Sequence, residues 1–263
     1  MKVLGLEMNM MWSDPMGNLA TVEALLPEII SRKPDLVVLP EMWSTGFTMS
    51  PEKIQLNALG QAQAAVARWS HETQAAWYGS TIALEANGKF KNRGFFVTPD
   101  GSNVHYDKRH LFTFGKEPDH YAPGNNKVIV KYQGWRILLQ ICYDLRFPVF
   151  SRNAGNEPWD LALYVANWPA VRSKAWSILL QARAIENCAY VVGINRWGED
   201  GNGVKHTGDS AVVGPRGERE FIAGTNVQMP CRFLESRLDW AELQSYRSKF
   251  PALNDADPFT LDL

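Results

Sequence analysis

Several short runs in this chain are apolar at nearly every position, and they limit the kind of fold it can adopt. "DLVVLP" (35–40), "ILL" (137–139), "DLALYVAN" (160–167) and "AYVVGIN" (189–195) show no alternation of polar and apolar side chains. A strand of that kind is buried on both faces, so each of its sides needs a covering layer. Helices are predicted to supply the cover. Residues 18–32 carry apolar side chains at Leu19, Val22, Leu26, Ile29 and Ile30, with Asn18 as the expected cap and a kink expected at Pro27. Residues 57–76 and 173–188 are also predicted helical. Residues 2–9 and 78–84 read as further strands. Three hairpins are expected, turning at Pro99-Asp100-Gly101, near Gly134 and at Pro215-Arg216-Gly217. From about Asp239 the chain is polar and reads as a segment laid along the surface. Strand–helix units mixed with hairpins predict an α/β protein of mixed sheets flanked by helices, not a simple doubly wound parallel sheet. No repeat or Pro/Gly/Ser-rich linker divides the chain, so residues 1–263 read as a single domain.

Charge and cysteine usage exclude several functions. The formal net charge is −1, which gives no electrostatic footprint for nucleic acid or an acidic membrane. Cys142, Cys188 and Cys231 form no CxxC pair, which argues against a disulfide framework or a cysteine metal site. The five histidines lack metal-ligand spacing, and no cofactor or metal is expected. Glu7 and Asn9 interrupt the short apolar N-terminus, so no signal peptide is predicted. No stretch of about 18 apolar residues is present to span a bilayer. The expectation is a cytoplasmic protein with free thiols that acts on a small molecule.

The ends of three predicted strands carry the chemistry. "DLVVLPE" ends at Glu41, "NVHYDK" at Lys108 and "RILLQIC" at Cys142. Layered α/β proteins tend to place ligand sites just past strand ends. A thiol, a carboxylate and an ammonium suffice for acyl transfer. Cys142 is the candidate nucleophile, Glu41 the candidate proton acceptor, and Lys108 with the Tyr143 amide the candidate oxyanion donors. Trp43, Phe47 and Trp168 are candidates for an apolar wall around a short substrate. Taken singly, each residue also has a structural reading: a core cysteine, a surface carboxylate, a solvated lysine, a core aromatic.

"LPEMWSTGF", "YDKRHLF" and "CYDLRFP" occur in the order and spacing of the nitrilase (carbon–nitrogen hydrolase) superfamily, which the chain resembles over nearly its whole length. "LYVANWP", "QARAIENCAYVVGINR" and "GDSAVVGPRGE" resemble later blocks of that family. The resemblance is strongest to bacterial omega-amidases, which hydrolyse 2-oxoglutaramate to 2-oxoglutarate and ammonia. It implies a four-layer αββα sandwich and a homodimer. It also implies that Glu41, Lys108 and Cys142 are the base, the oxyanion-stabilising lysine and the nucleophile, and that Glu117 is a second glutamate positioning the lysine or substrate. Arg172, soon after "NWP", lies where the family has its substrate wall and is the candidate partner for a distal carboxylate.

Two alternatives stand beside this reading. Another amidase of the superfamily, such as a deaminated-glutathione amidase, would share every catalytic residue. A metal-dependent phosphoesterase of similar layers would also place Glu41 and Asn167 after strands, but it needs a late Asp-His pair, and "LNDADPFTLDL" contains no histidine.

Overall fold

A computed structural model describes residues 1–153, 158–220 and 230–261. It contains two six-stranded sheets. The first has the order β14-β1-β2-β3-β4-β5, formed by β1 (Lys2–Met8), β2 (Leu36–Val38), β3 (Ala76–Leu84), β4 (Phe90–Val97), β5 (Asn103–Asp107) and β14 (Cys231–Arg237). The second has the order β13-β12-β9-β8-β7-β6, formed by β6 (Ile129–Tyr132), β7 (Trp135–Ile141), β8 (Leu161–Ala166), β9 (Tyr190–Asn195), β12 (Ala211–Val213) and β13 (Arg219–Glu220). A separate hairpin joins β10 (Trp197–Glu199) to β11 (Lys205–Thr207). In each large sheet three parallel strands, β1-β2-β3 or β7-β8-β9, are flanked by antiparallel ones. These central strands contain the fully apolar runs of the sequence.

The two-residue period of the strands sorts side chains between layers. In the first sheet Val3, Leu36, Val38, Ala76 and Tyr78 face the second sheet, joining Ile137, Leu139, Leu163 and Val192 in one core. Their neighbours Leu4, Leu6, Val37, Leu39 and Trp77 turn the other way and pack on α1 (Pro15–Arg32) and α2 (Leu56–Thr73). The second sheet is covered by α4 (Ser173–Glu186), whose Trp176 and Leu180 crowd Gly193. The result is helix, sheet, sheet, helix. Gly5 marks a close approach of the sheets, because a Cβ there would sit 2.2 Å from Ile194 Cδ1. Tyr78 Oη donates to the Gln140 carbonyl at 3.1 Å across the same interface. Each apolar side chain buried in these layers contributes about 1.5–3 kcal/mol relative to exposure.

Local departures from the sequence reading have identifiable causes. Helix α1 begins at Pro15, and Asp14 caps it by accepting from Gly17 N at 3.0 Å. Asn18 lies inside the first turn, where its amide ties Met11 and Ser44 to the helix. Pro27 does not end the helix, because burial of Val22, Leu25 and Ile29 holds the cylinder together across the missing hydrogen bond. The polar C-terminal region forms α5 (Trp240–Lys249), capped by Asp239 on Glu242 N, and follows a short α3 (Pro148–Ser151) and α4 in chain order. Only Leu243 of α5 is buried, so its helical pattern was weak in sequence. The β10–β11 hairpin is too short to leave an apolar pattern. The Pro215-Arg216-Gly217 turn joins β12 to β13, and the later part of that predicted hairpin lies outside the described residues. No helix among the described residues is long and apolar enough to cross a membrane.

Candidate active site

Glu41 follows β2, Lys108 follows β5, Cys142 follows β7 and Asn167 follows β8. The first two come from one sheet and the last two from the other. All four meet at one end of the sandwich, in a buried network. Lys108 Nζ donates to Glu41 Oε1 at 2.8 Å and to Glu117 Oε2 at 2.8 Å. All three side chains have 0% exposure, so these are buried ion pairs in which the two carboxylates share one ammonium. Asn92, whose side chain points inward from β4, donates to Glu41 Oε1 at 2.8 Å and to Glu117 Oε1 at 3.1 Å. Its own Oδ1 accepts from Ser80 Oγ at 2.8 Å. Two backbone N–H groups also hold the carboxylates. Asn167 N donates to Glu41 Oε2 at 2.8 Å, and Phe112 N donates to Glu117 Oε2 at 2.6 Å.

Cys142 opens a 3₁₀ turn, Cys142–Arg146, with φ +46°, a left-handed conformation that costs a non-glycine residue on the order of 1–3 kcal/mol. The turn redirects the chain sharply after β7. The Tyr143 N–H falls in its first turn, where helical N–H groups have no partner of their own.

The electrostatics follow from burial and charge. Burial and the Glu41 carboxylate push the Cys142 thiol well above its ordinary value, with Lys108 and the Asn167 N–H opposing them. The resting thiol is therefore neutral. Burial acts to depress the Lys108 ammonium, but Glu117 and Glu41 outweigh it and hold it above its usual value. Burial raises Glu117, with Glu41 adding to the shift and Lys108 opposing it.

A cavity of about 230 Å³ opens beside the thiol. Cys142, Lys108 and Asn167 reach its surface, and Phe47, Tyr143, Trp168 and Arg172 line it. Trp43 does not line it. Its indole is 1% exposed and packs on Trp69, ring centroids 5.6 Å apart, in the core beneath α2, so the expected wall role is corrected to a packing role. Among the cavity and network residues that sequence reading passed over, three bear on the chemistry. Arg146 lines the cavity with its guanidinium 4.9 Å from the Trp168 ring centroid. His206, from β11, also lines the cavity, and burial lowers it to about 4, with Arg196 adding to the shift. Asn92 lies mid-strand, where nothing local marks it. Arg146 alone had a signal, since it sits four residues after the thiol in a turn. Arg172 stacks over Phe112 at 5.3 Å, and its carbonyl accepts from Trp168 Nε1 at 2.8 Å. Neither Arg146 nor Arg172 makes an ion pair among the described residues.

The sequence and the fold are similar to those of known proteins. The sequence profile of the carbon-nitrogen hydrolase family matches residues 3–228. The chain is 46% identical to Omega-amidase YafV of Escherichia coli K12, over 99% of this chain and 98% of that protein. It is 34% identical to 2-oxoglutaramate amidase of Paenarthrobacter nicotinovorans, over 85% and 78% of the two chains. Its fold matches the crystal structure of XC1258 from Xanthomonas campestris, a CN-hydrolase superfamily protein with an arsenic adduct in the active site. That match has a TM-score of 0.88 and 37% identity, and covers 99% of this chain and 98% of the other. With a matched profile over most of its length and close relatives over all of it, the chain belongs to the carbon-nitrogen hydrolase family.

Proposed function

We propose that the chain is a single-domain omega-amidase that hydrolyses the terminal amide of 2-oxoglutaramate, and of similar short dicarboxylate monoamides, through a cysteine thioester. The observation that carries the reading is the buried Glu41–Lys108–Glu117 network beside Cys142, opening onto a small cavity whose wall holds two guanidinium groups. The near full-length similarity to proteins named for that activity supports the choice of substrate.

Glu41 takes the Cys142 proton as the sulfur attacks the amide carbon. The transfer leaves the total charge of the buried network unchanged, because one carboxylate is neutralised as one thiolate forms. Lys108 and the Tyr143 N–H stabilise the oxyanion. Removing one such donor typically costs about 3 kcal/mol of barrier. Glu41 returns the proton to the leaving ammonia and then activates the water that cleaves the thioester. Glu117 and Asn92 hold Lys108 and Glu41 in place through both halves of the reaction. Arg172 and Arg146 pair with the distal carboxylate, while Phe47 and Trp168 confine the short chain.

The enzyme works in the cytoplasm, where a reducing medium suits its three free thiols, and needs no cofactor. It pairs as a homodimer, a reading supported by exposed Val149 on α3 and by Ile178 and Ile185 on one face of α4. The deciding experiment is ammonia release from 2-oxoglutaramate, deaminated glutathione and neutral short amides, with Cys142→Ala as control. Preference for 2-oxoglutaramate, lost in the variant, is the expected result. Equal turnover by Cys142→Ala rejects the mechanism, and preference for deaminated glutathione rejects the substrate.

A further inference from the structure

The Asp144 carboxylate is fully buried and does not line the cavity, yet it receives four hydrogen bonds from the segments that carry the nucleophile and the lysine. Its Oδ2 accepts from Ile141 N at 2.9 Å and from Tyr106 Oη at 2.7 Å. Its Oδ1 accepts from His110 N at 3.0 Å and lies 2.8 Å from His110 Nδ1. Ile141 immediately precedes Cys142. Tyr106 and His110 stand two residues before and two after Lys108. The Tyr106 hydroxyl, while donating to Asp144, also accepts from Arg109 N at 3.2 Å. The first two backbone N–H groups after Lys108 are therefore both anchored to this one cluster. The His110 ring is fixed in turn by stacking on Phe147, 3.9 Å between centroids and 10° between planes.

We propose that Asp144 is a positioning residue that locks the left-handed Cys142 turn to the loop bearing Lys108, setting the separation of thiol and ammonium across the two sheets. The inference rests on the amidase reading above. Cys142 at φ +46° is held only as firmly as the residues on either side of it, and Asp144 closes the turn by accepting from the N–H just before the strained residue. The same carboxylate reaches the other sheet through Tyr106 and His110. All four contacts are donors to Asp144, which selects a carboxylate over an amide. An asparagine of equal size has one acceptor oxygen and would turn N–H groups toward other N–H or O–H groups.

The test is Asp144→Asn in the full chain, with kcat expressed per thiol titrated by iodoacetamide and with urea unfolding run alongside. The expected result is a folded protein whose kcat per titrated thiol falls about 10²-fold, as a misplacement of about 1 Å produces, while KM changes little. The alkylation rate of Cys142 is expected to change as well. A merely structural role would lower stability and leave kcat per thiol intact, and that result, in folded Asp144→Asn, overturns the proposal. If Asp144→Asn fails to fold, His110 decides. His110→Ala should lose kcat and His110→Asn, whose Nδ2 stands near the imidazole Nδ1, should recover most of it. Wild-type kcat in both overturns the proposal. Absence of ammonia release by the wild-type protein would instead sink the amidase reading, and the alkylation rates would still report whether Asp144 holds the thiol.

Discussion

Lys108 Nζ lies 2.8 Å from Glu41 Oε1, and neither side chain is reached by solvent. Because the ammonium also meets Glu117 at 2.8 Å, it neutralises one of two buried carboxylates and leaves the network with one negative charge. That residual charge lets Glu41 accept a proton from a thiol that burial keeps neutral. Glu41→Gln keeps the shape and removes the acceptor. The expected loss in kcat is about 10²–10⁴-fold, with folding retained, measured by steady-state ammonia release.

Lys108→Met leaves Glu41 and Glu117 buried without a counter-ion. Breaking a buried pair in this way costs about 3–5 kcal/mol. Urea unfolding at neutral pH should show that loss, and the double variant Lys108→Met/Glu117→Gln should recover part of it. A single variant as stable as the wild type would mean that the carboxylates are not held by this ammonium.

Arg146 and Arg172 separate substrate binding from chemistry. Arg146→Ala and Arg172→Ala should raise KM for 2-oxoglutaramate by about tenfold or more while leaving KM for a neutral short amide nearly unchanged. Parallel kinetics on the two substrates make the comparison. An equal effect on both removes the altered arginine from carboxylate recognition.

His206 makes stability fall in mild acid. Its imidazole is neutral in the folded protein, lowered to about 4 by burial and by Arg196, whereas an unfolded histidine titrates near 6.5. Between those values the unfolded chain binds more protons, so stability is highest above about pH 6.5 and declines as the pH falls toward about 4. The ring Nδ1, 3.0 Å from the Val204 carbonyl, acts as the donor in the neutral form. His206→Asn retains a donor at that position and does not titrate. Its melting temperature should drop less between pH 7 and pH 5 than that of the wild type.

The strands were legible because burial on both faces leaves unbroken apolar runs, as at Leu161–Ala166. Cys142, Lys108 and Glu41 were legible because strand ends are where such a fold exposes side chains. Asn92 was not, because a polar residue inside a strand looks the same whether it faces solvent or a buried ion pair. Trp43 misled for a related reason: its position after Glu41 suggested the cavity, but the chain turns at 41–45, with Met42 at φ +44°, and the indole packs on Trp69 instead. Helix α5 has one buried side chain, so it lacks the periodic stripe that identifies helices from sequence.

The base and the lysine stand on one sheet while the nucleophile stands on the other. A slide of either layer by a fraction of a bond length would separate the reacting groups without breaking any strand ladder. The tight fit of Gly5 against Ile194 and the hydroxyl strut from Tyr78 to Gln140 therefore act at a distance on turnover, by keeping the two halves of the sandwich in register.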